Sequence, residues 1–584
     1  YLARYLGFTL VEGGDLTVRD RAVYLKTLGG LEPIDVILRR VDDGFCDPLS
    51  LRSDSSLGVA GLVQAVRAGN VAVANALGSG LAESPALLAF LPGLARALLG
   101  EELALPSVAT WWCGDERALG YVEAHLPELV VKPTFPSARL EPVFGARLSA
   151  AERAAYVGQI RARPHAFVAQ EQVALSTAPV FAPEGVRARP LVLRAYAAAG
   201  PDRSWEVMPG GLTRVAVAPD SLVVSMQRGG GSKDTWVCSA GTPSALTLLR
   251  PAGAPLELTR GGAELPSRVA DNLFWLGRYV ERVEGAARLA RAIIARISGE
   301  GSEQDTSLRP LVDALARSGA IEEGASHEGR AFLDRVFASD SPRSVRATLA
   351  AVHQLAFVLR DQLSLDTWRV LAELQQDASG PSAASWSLSA ARDALNRMIV
   401  RLSAWSGLTM ESMTRTLGWR FADMGRRIER GSWIATLLDA CLVEAADDEP
   451  ARLEALLEVA ESAITYRRRY RSELQAVAVL DLLHSDETNP RSLVFQLAAL
   501  EQHLEQVRGV GPSAERTPAE RVALAALSRV RLADVAELCR VEARKRLRLA
   551  ELLGRTLGDL PALSDALTRS YLSHAGEARR VERF

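Results

Sequence analysis

The chain has 584 residues, 48% hydrophobic and 24% charged, with 68 Lys plus Arg against 70 Asp plus Glu and a formal net charge of −2. A domain size of about 150 residues predicts roughly four structural units with ample core, and near-neutrality excludes any global drive toward nucleic acid or an anionic membrane. No uncharged apolar run reaches the ~18 residues a spanning helix needs.

Five cysteines, Cys46, Cys113, Cys238, Cys441 and Cys539, stand without a C-x-x-C pair. That pattern predicts a reducing, cytoplasmic setting with neither a disulfide frame nor a zinc ribbon. The seven histidines are equally dispersed, which argues against a histidine metal site.

In chain order, the first chemistry-bearing element is the run Val36-Ile37-Leu38, which ends on Arg39 and Arg40. Two arginines at a strand end suit a carboxylate; the alternative is pairing with Asp42, Asp43 or Asp47. Next comes Val130-Val131-Lys132-Pro133, a β-branched run stopped by proline, predicted as a strand whose last side chain enters a cleft. Lysine is scarce here, with four residues in the whole chain, so Lys132 and Lys233 draw attention as compact cations suited to a phosphate oxygen. The stretch 166–173 predicts a second strand with Gln170 and Glu171 in its polar middle, an edge able to meet a purine and its ribose. Residues 190–196 and 208–215 predict two more strands, bearing Arg194 and Arg214. Gly229-Gly230-Gly231-Ser232-Lys233-Asp234 predicts a turn, and its order is not that of a P-loop, which needs Gly-Lys-Ser/Thr.

Near residue 250 the character changes. Strand signals give way to helical periodicity around 267–297, 342–376, 387–407, 410–442, 449–484, 490–508 and 517–555, after a Pro/Gly-rich stretch at 251–262. The chain is therefore predicted to be multidomain, an α+β region followed by an all-α helical bundle, with boundaries at 1–120, 121–255 and 262–584. Within the bundle, Gly277-Arg278-Tyr279-Val280-Glu281-Arg282 is echoed by Gly425-Arg426-Arg427-Ile428-Glu429-Arg430. On a helix, Arg278, Glu281 and Arg282 share one face, as do Arg426, Glu429 and Arg430. Two readings stand: a buried network that sets helix register, or a polar pocket for an anionic peptide or carboxylate. The run Arg467-Arg468-Arg469-Tyr470-Arg471 reads as a solvated face.

Several stretches of the first half resemble the circularly permuted ATP-grasp family: Leu10 to Leu16, Val36 to Asp43, Asp47-Pro48-Leu49, Val73 to Gly80, and Thr110-Trp111-Trp112-Cys113-Gly114. The second half resembles the alpha-E family through the paired motif, Ser267 to Leu273, Glu411 to Arg415, Gly418-Trp419-Arg420 and Asn489 to Leu493. The resemblance implies an ATP- and Mg2+-dependent carboxylate–amine ligase acting through an acyl phosphate on an amino acid or small peptide. It assigns Lys132, Gln170 and Glu171 to the nucleotide, Arg194, Arg214 and Lys233 to phosphate or acyl phosphate, and Arg39, Arg40 and Asn75 to substrate. It also implies transglutaminase-like and proteasome-like peptidase partners. Family members begin with a longer segment carrying an acidic, metal-binding strand, whereas this chain opens at Tyr1, so the metal ligands stay unassigned. The alternative function is a nucleotide-binding or scaffold module without turnover, the helical half serving as a docking platform. RNA binding through the arginine-rich helices is a third, weaker reading.

Overall fold

The computed structural model describes residues 2–135, 141–182, 185–200, 202, 204–219, 221, 223–224, 229–238, 241, 265–299, 305–324, 329–338, 341–378, 387–446, 449–471, 473–508 and 515–574. The Pro/Gly-rich stretch at 251–262 lies outside them. Strands dominate before residue 240 and helices after 265, as the change of periodicity predicts. The compact units divide elsewhere than the sequence-based boundaries: Tyr1–Ala74 groups with Leu258–Phe584, and Asn75–Glu257 stands as a second unit.

In the first unit, β1 (Leu16–Arg19), β2 (Ala22–Thr27) and β3 (Gly30–Ile34) form an antiparallel meander. The β1–β2 turn is Asp20-Arg21, both at positive φ (50° and 63°), the backbone that a two-residue hairpin with right-twisted strands requires. Side chains of β2 alternate, burying Val23, Leu25 and Thr27. Leu28 then joins the helical core, and Arg268 binds buried Asp15 through two hydrogen bonds of 2.8 Å each. These contacts explain why the first 74 residues group with the helices. A parallel pair, β4 (Val36–Leu38) with β5 (Ala72–Ala74), and a short helix α1 (Leu62–Arg67) follow.

The helical core is organised around α4 (Ser267–Ile297) and α8 (Leu417–Leu442), both buried over most of their circumference. Glycine is obligatory where they cross. A Cβ on Gly277 would stand 2.0 Å from the Ala422 carbonyl oxygen, and one on Gly425 would stand 2.0 Å from that of Phe274. Helices α5 (Val345–Val358), α6 (Leu365–Ala378) and α7 (Leu388–Ser412) lie on the α4 side. On the α8 side lie α9 (Leu493–Arg508), α10 (Pro518–Arg531) and α11 (Leu547–Leu567). Some predicted helices are broken: 410–442 divides between α7 and α8 at Met413–Thr416, and 342–376 divides after Val358. Ser344, Ser387 and Thr517 cap α5, α7 and α10 by accepting a backbone N–H in the first turn.

In the second unit, β6 (Thr110–Trp112), β7 (Leu129–Pro133), β8 (Val143–Phe144) and β9 (Phe167–Glu171) make an antiparallel sheet of order β6-β9-β7-β8. One face carries Leu129, Val131 and Ala169 into a core with Val122 of α2 (Glu116–His125) and Ile160 of α3 (Ala150–Ala162). A second antiparallel sheet joins β10 (Thr177–Ala182), β11 (Gly185–Arg194), β14 (Gly211–Val215) and β15 (Gly231–Thr235), with a hairpin of β12 (Ala197–Ala199) and β13 (Trp205–Val207) inserted. The predicted glycine-rich turn is therefore a strand over Gly231–Thr235, because its backbone pairs with β14 from Gly211 to Val215.

Candidate functional site

Successive strand residues alternate faces, so the register of the first sheet decides which polar groups meet. Lys132 pairs across with Val168, Val130 with Gln170, and Gln170 with Thr110. Lys132, Gln170 and Thr110 therefore share the face turned away from α2 and α3. The Lys132 ammonium donates to Gln170 Oε1 at 2.6 Å, and Gln170 Nε2 donates to Thr110 Oγ1 at 3.1 Å. Gln170 is buried and Lys132 half-buried, and burial pushes the lysine pKa below its ordinary value. A desolvated ammonium held, among the described residues, by a neutral amide is in the state an anion stabilises. Thr110, which sets the Gln170 amide, was not among the expected site residues. Its signal is a hydroxyl beginning the Trp-Trp strand, legible only with the register known.

Glu171 pairs with Leu129 and so falls on the opposite face from Gln170, exposed at the strand end. Its backbone N–H donates to the Ala109 carbonyl. Cys113 is buried under the same sheet, its thiol pushed up to about 11 by burial and then by Glu123, which suits a packing role over a reactive one.

In the second sheet, Arg194 pairs with Leu212 and Arg214 with both Val192 and Ser232, so the two arginines share a face. The Arg214 Nε is buried without a hydrogen-bond partner among the described residues. Lys233 pairs with Thr213 and lies on the other face, where its ammonium donates to the Pro179 carbonyl at 2.5 Å. The three cations expected to act together are thus divided by strand parity. The structure joins Arg194 to Arg214 and sets Lys233 apart.

Arg39 is taken by Asp43, 2.7 Å from Nη1 to Oδ1, and also donates to the Val41 carbonyl at 2.6 Å, so the pairing alternative holds for it. Arg40 and Asn75 are exposed. Asp47 is buried; despite the opposing effect of burial, the backbone N–H groups of Val63, Leu49 and Gly61 hold its carboxyl below the usual range. It organises the first turns of α1 and is not available to a substrate.

The paired helical motifs meet across the α4–α8 crossing. Arg278 and Arg282 of α4 reach Glu429 of α8 at 2.8 and 2.6 Å, and Arg430 of α8 holds both oxygens of Glu281 of α4 at 2.5 and 2.7 Å. Burial raises the Glu429 carboxyl, but Arg282 and Arg278 outweigh it and leave it lowered. The network extends to residues outside the motif. Glu284 pairs with Arg288 and Arg491 at 2.9 and 2.8 Å, and Asp423 pairs with Arg427 and His503 at 3.0 and 2.8 Å. Burial opposes the charge on Glu284, yet Arg491, Arg430 and Arg288 bring its pKa down to about 2. Of the two readings of the motif, mutual pairing fits this geometry.

Among the described residues, no group of three or more His, Cys, Asp or Glu side chains converges in a form that could hold a metal ion.

Residues 1–216 match the family described as circularly permuted ATP-grasp type 2. Residues 265–572 match Alpha-E, described as a predicted alpha-helical domain with a conserved ER motif, and Glu281-Arg282 and Glu429-Arg430 are such pairs. An uncharacterized protein of Mycobacterium tuberculosis (strain H37Rv) is 36% identical over 602 residues, covering 99% of this chain and 67% of the relative. The chain thus spans about two thirds of that relative's length. Other similarities are shorter: an uncharacterized protein of Synechocystis sp. is 42% identical over 242 residues, 41% of this chain and 50% of that one. A second M. tuberculosis protein, also uncharacterized, is 44% identical over 255 residues, 43% of this chain and 45% of that one. With the sheet region matched to one family model and the paired Glu-Arg helices to the other, the chain belongs to the circularly permuted ATP-grasp type 2 proteins, fused here to an alpha-E helical domain.

Proposed function

We propose that this chain carries the phosphate-binding part of an ATP-dependent carboxylate–amine ligase. Family membership supports ATP binding, divalent-metal use and ligase-like chemistry in general terms. The finer reading is amide or peptide synthesis, in which ATP cleavage to ADP and phosphate is coupled, through an acyl phosphate, to attack by an amine. The observation that carries it is the Thr110–Gln170–Lys132 line. Lys132 spends one of its three donors on Gln170 and has others to give a phosphate oxygen, while Thr110 fixes the amide so that the ammonium is positioned before the nucleotide arrives. Arg214, with its buried unpartnered Nε, and Arg194 on the same face supply planar donors for the transferring phosphoryl group or the acyl phosphate.

Calorimetry of ATP binding to the parent chain and to Lys132→Ala tests the assignment. Unchanged affinity removes Lys132 from the site. Turnover is tested separately by ADP release with magnesium and a mixture of amino acids and small peptides. A second reading is nucleotide binding without turnover, with the helical half, whose paired motif is held by mutual ion pairs, as a docking platform. ATP binding with no substrate-stimulated ADP release would favour it.

A further inference from the structure

The two Gly-Arg-x-x-Glu-Arg helices exchange partners almost symmetrically, and the symmetry fails at one residue. Arg278 of α4 donates its Nε to Glu429 at 2.8 Å and its Nη1 to Ser564 Oγ of α11 at 3.0 Å. Its counterpart on α8 is Arg426, whose Nε and Nη1, the same two atoms, are buried with no hydrogen-bond partner among the described residues. The carboxylate that symmetry would offer is Glu281, but Arg430 occupies both its oxygens at 2.5 and 2.7 Å, leaving the Arg426 Nε 3.9 Å away. Asp423 Oδ1 stands 3.4 Å from the Arg426 Nη1 and also lacks a hydrogen-bond partner.

Further groups without a partner among the described residues lie on α7. The Trp405 ring of α7 is centred 5.9 Å from the Arg426 Cζ, and its indole N–H is buried without a partner. Thr409, one turn along the same stripe of α7, buries its hydroxyl in the same condition. Arg426 is 5% exposed, and Trp405 and Thr409 are 1% each. Charge points the same way. The ion-pair network around Arg426 joins five arginines, 288, 426, 427, 430 and 491, to Glu281, Glu284, Asp423 and Glu461, the last 58% exposed. His503 adds no negative charge in either protonation state. Burial, with help from Arg430 and Arg427, pushes the Arg426 pKa down to about 10, so the guanidinium stays charged at neutral pH. A buried excess cation with idle N–H donors is a costly arrangement that a bound anion relieves.

We propose that Arg426, with Trp405 and Thr409, encloses a small monovalent anion, a carboxylate or a halide, standing where Glu429 and Ser564 stand for Arg278. The rival occupant is an internal water bridging Arg426 and Asp423. Crystals of the full chain grown with bromide should show an anomalous peak within hydrogen-bond reach of Arg426. At matched ionic strength, the melting temperature should be about 2–4 °C higher in chloride or formate than in gluconate, which is too large to be enclosed. The stronger of the chloride and formate effects tells halide from carboxylate, and Arg426→Met should abolish both. If that variant does not fold, the map of the parent protein decides. An ordered water at Arg426 both in crystals grown with bromide and in crystals grown with formate overturns the proposal whatever the melts do.

Discussion

The chain handles buried positive charge in two ways. Between α4 and α8, arginine meets carboxylate on nearly every side, and the cations are spent on holding two helices in register. On the Lys132 face of the first sheet, the cation's hydrogen-bond partner among the described residues is a neutral amide, and its charge stays available. Similar cations thus have opposite fates according to whether an acid faces them. A buried ion pair is weak evidence of net stability yet expensive to break from one side, whereas a desolvated lysine with spare donors costs stability and gains affinity.

The sharpest way to break that comparison is Glu281→Ala, which strands Arg430 and weakens the neighbourhood of Arg426. The expected loss is about 3–5 kcal/mol of stability, read by denaturant melts. A melt unchanged from the parent would return the motif to the pocket reading.

A second test uses pH. His484 is fully buried, and burial lowers its pKa to about 4, with Asp481 only partly opposing. The unfolded chain takes up that proton below its ordinary value of 6.5, while the folded chain resists until about 4. Stability attributable to this group is therefore fully present above 6.5 and falls as pH drops through the window, by on the order of 3 kcal/mol at its acid end. Replacing His484 by Gln should flatten that part of the acid limb in pH-dependent melts. Glu284 adds a later loss, between its ordinary 4.5 and about 2, because its charged form is favoured in the fold.

Lys132→Ala belongs to the other side of the comparison. It should weaken ATP binding by about 1–3 kcal/mol while leaving stability near the parent's, the reverse of the Glu281 result. Loss of stability without loss of affinity would make Lys132 one more structural cation. The smallest expected effect is for Arg39→Ala: its ion pair with Asp43 is partly buried, the two side chains 12% and 26% exposed, so the melt should move by about 1 kcal/mol.

Much of the architecture was legible in the residues alone. The shift from strand to helix patterning, the strands that carry Lys132, Gln170, Arg194 and Arg214, and the common face of Arg278, Glu281 and Arg282 depend on periods of 2 and 3.6, which are local. The same is true of the obligatory glycines, since a Gly one position before a charged helical stripe signals close approach. Thr110, Glu284, Asp423 and Arg491 were not legible as partners, because nothing in their immediate sequence distinguishes them from other polar residues of a strand, helix or loop.

Tertiary structure alone decided who meets whom. Strand register placed Lys233 on the face opposite Arg194 and Arg214, a matter of parity that one residue of slip would invert. The α4–α8 crossing gave Glu429 to Arg278 and Arg282 and gave Glu281 to Arg430. Arg39 went to Asp43 and the first 74 residues went to the helical unit. Each of these depends on groups brought together by the fold, with separations that range from the four residues of Arg39 and Asp43 to more than a hundred across the bundle. Helix and strand periods orient a side chain but do not name the group it will face, and that pairing determines whether a charge is consumed by the fold or left for a ligand.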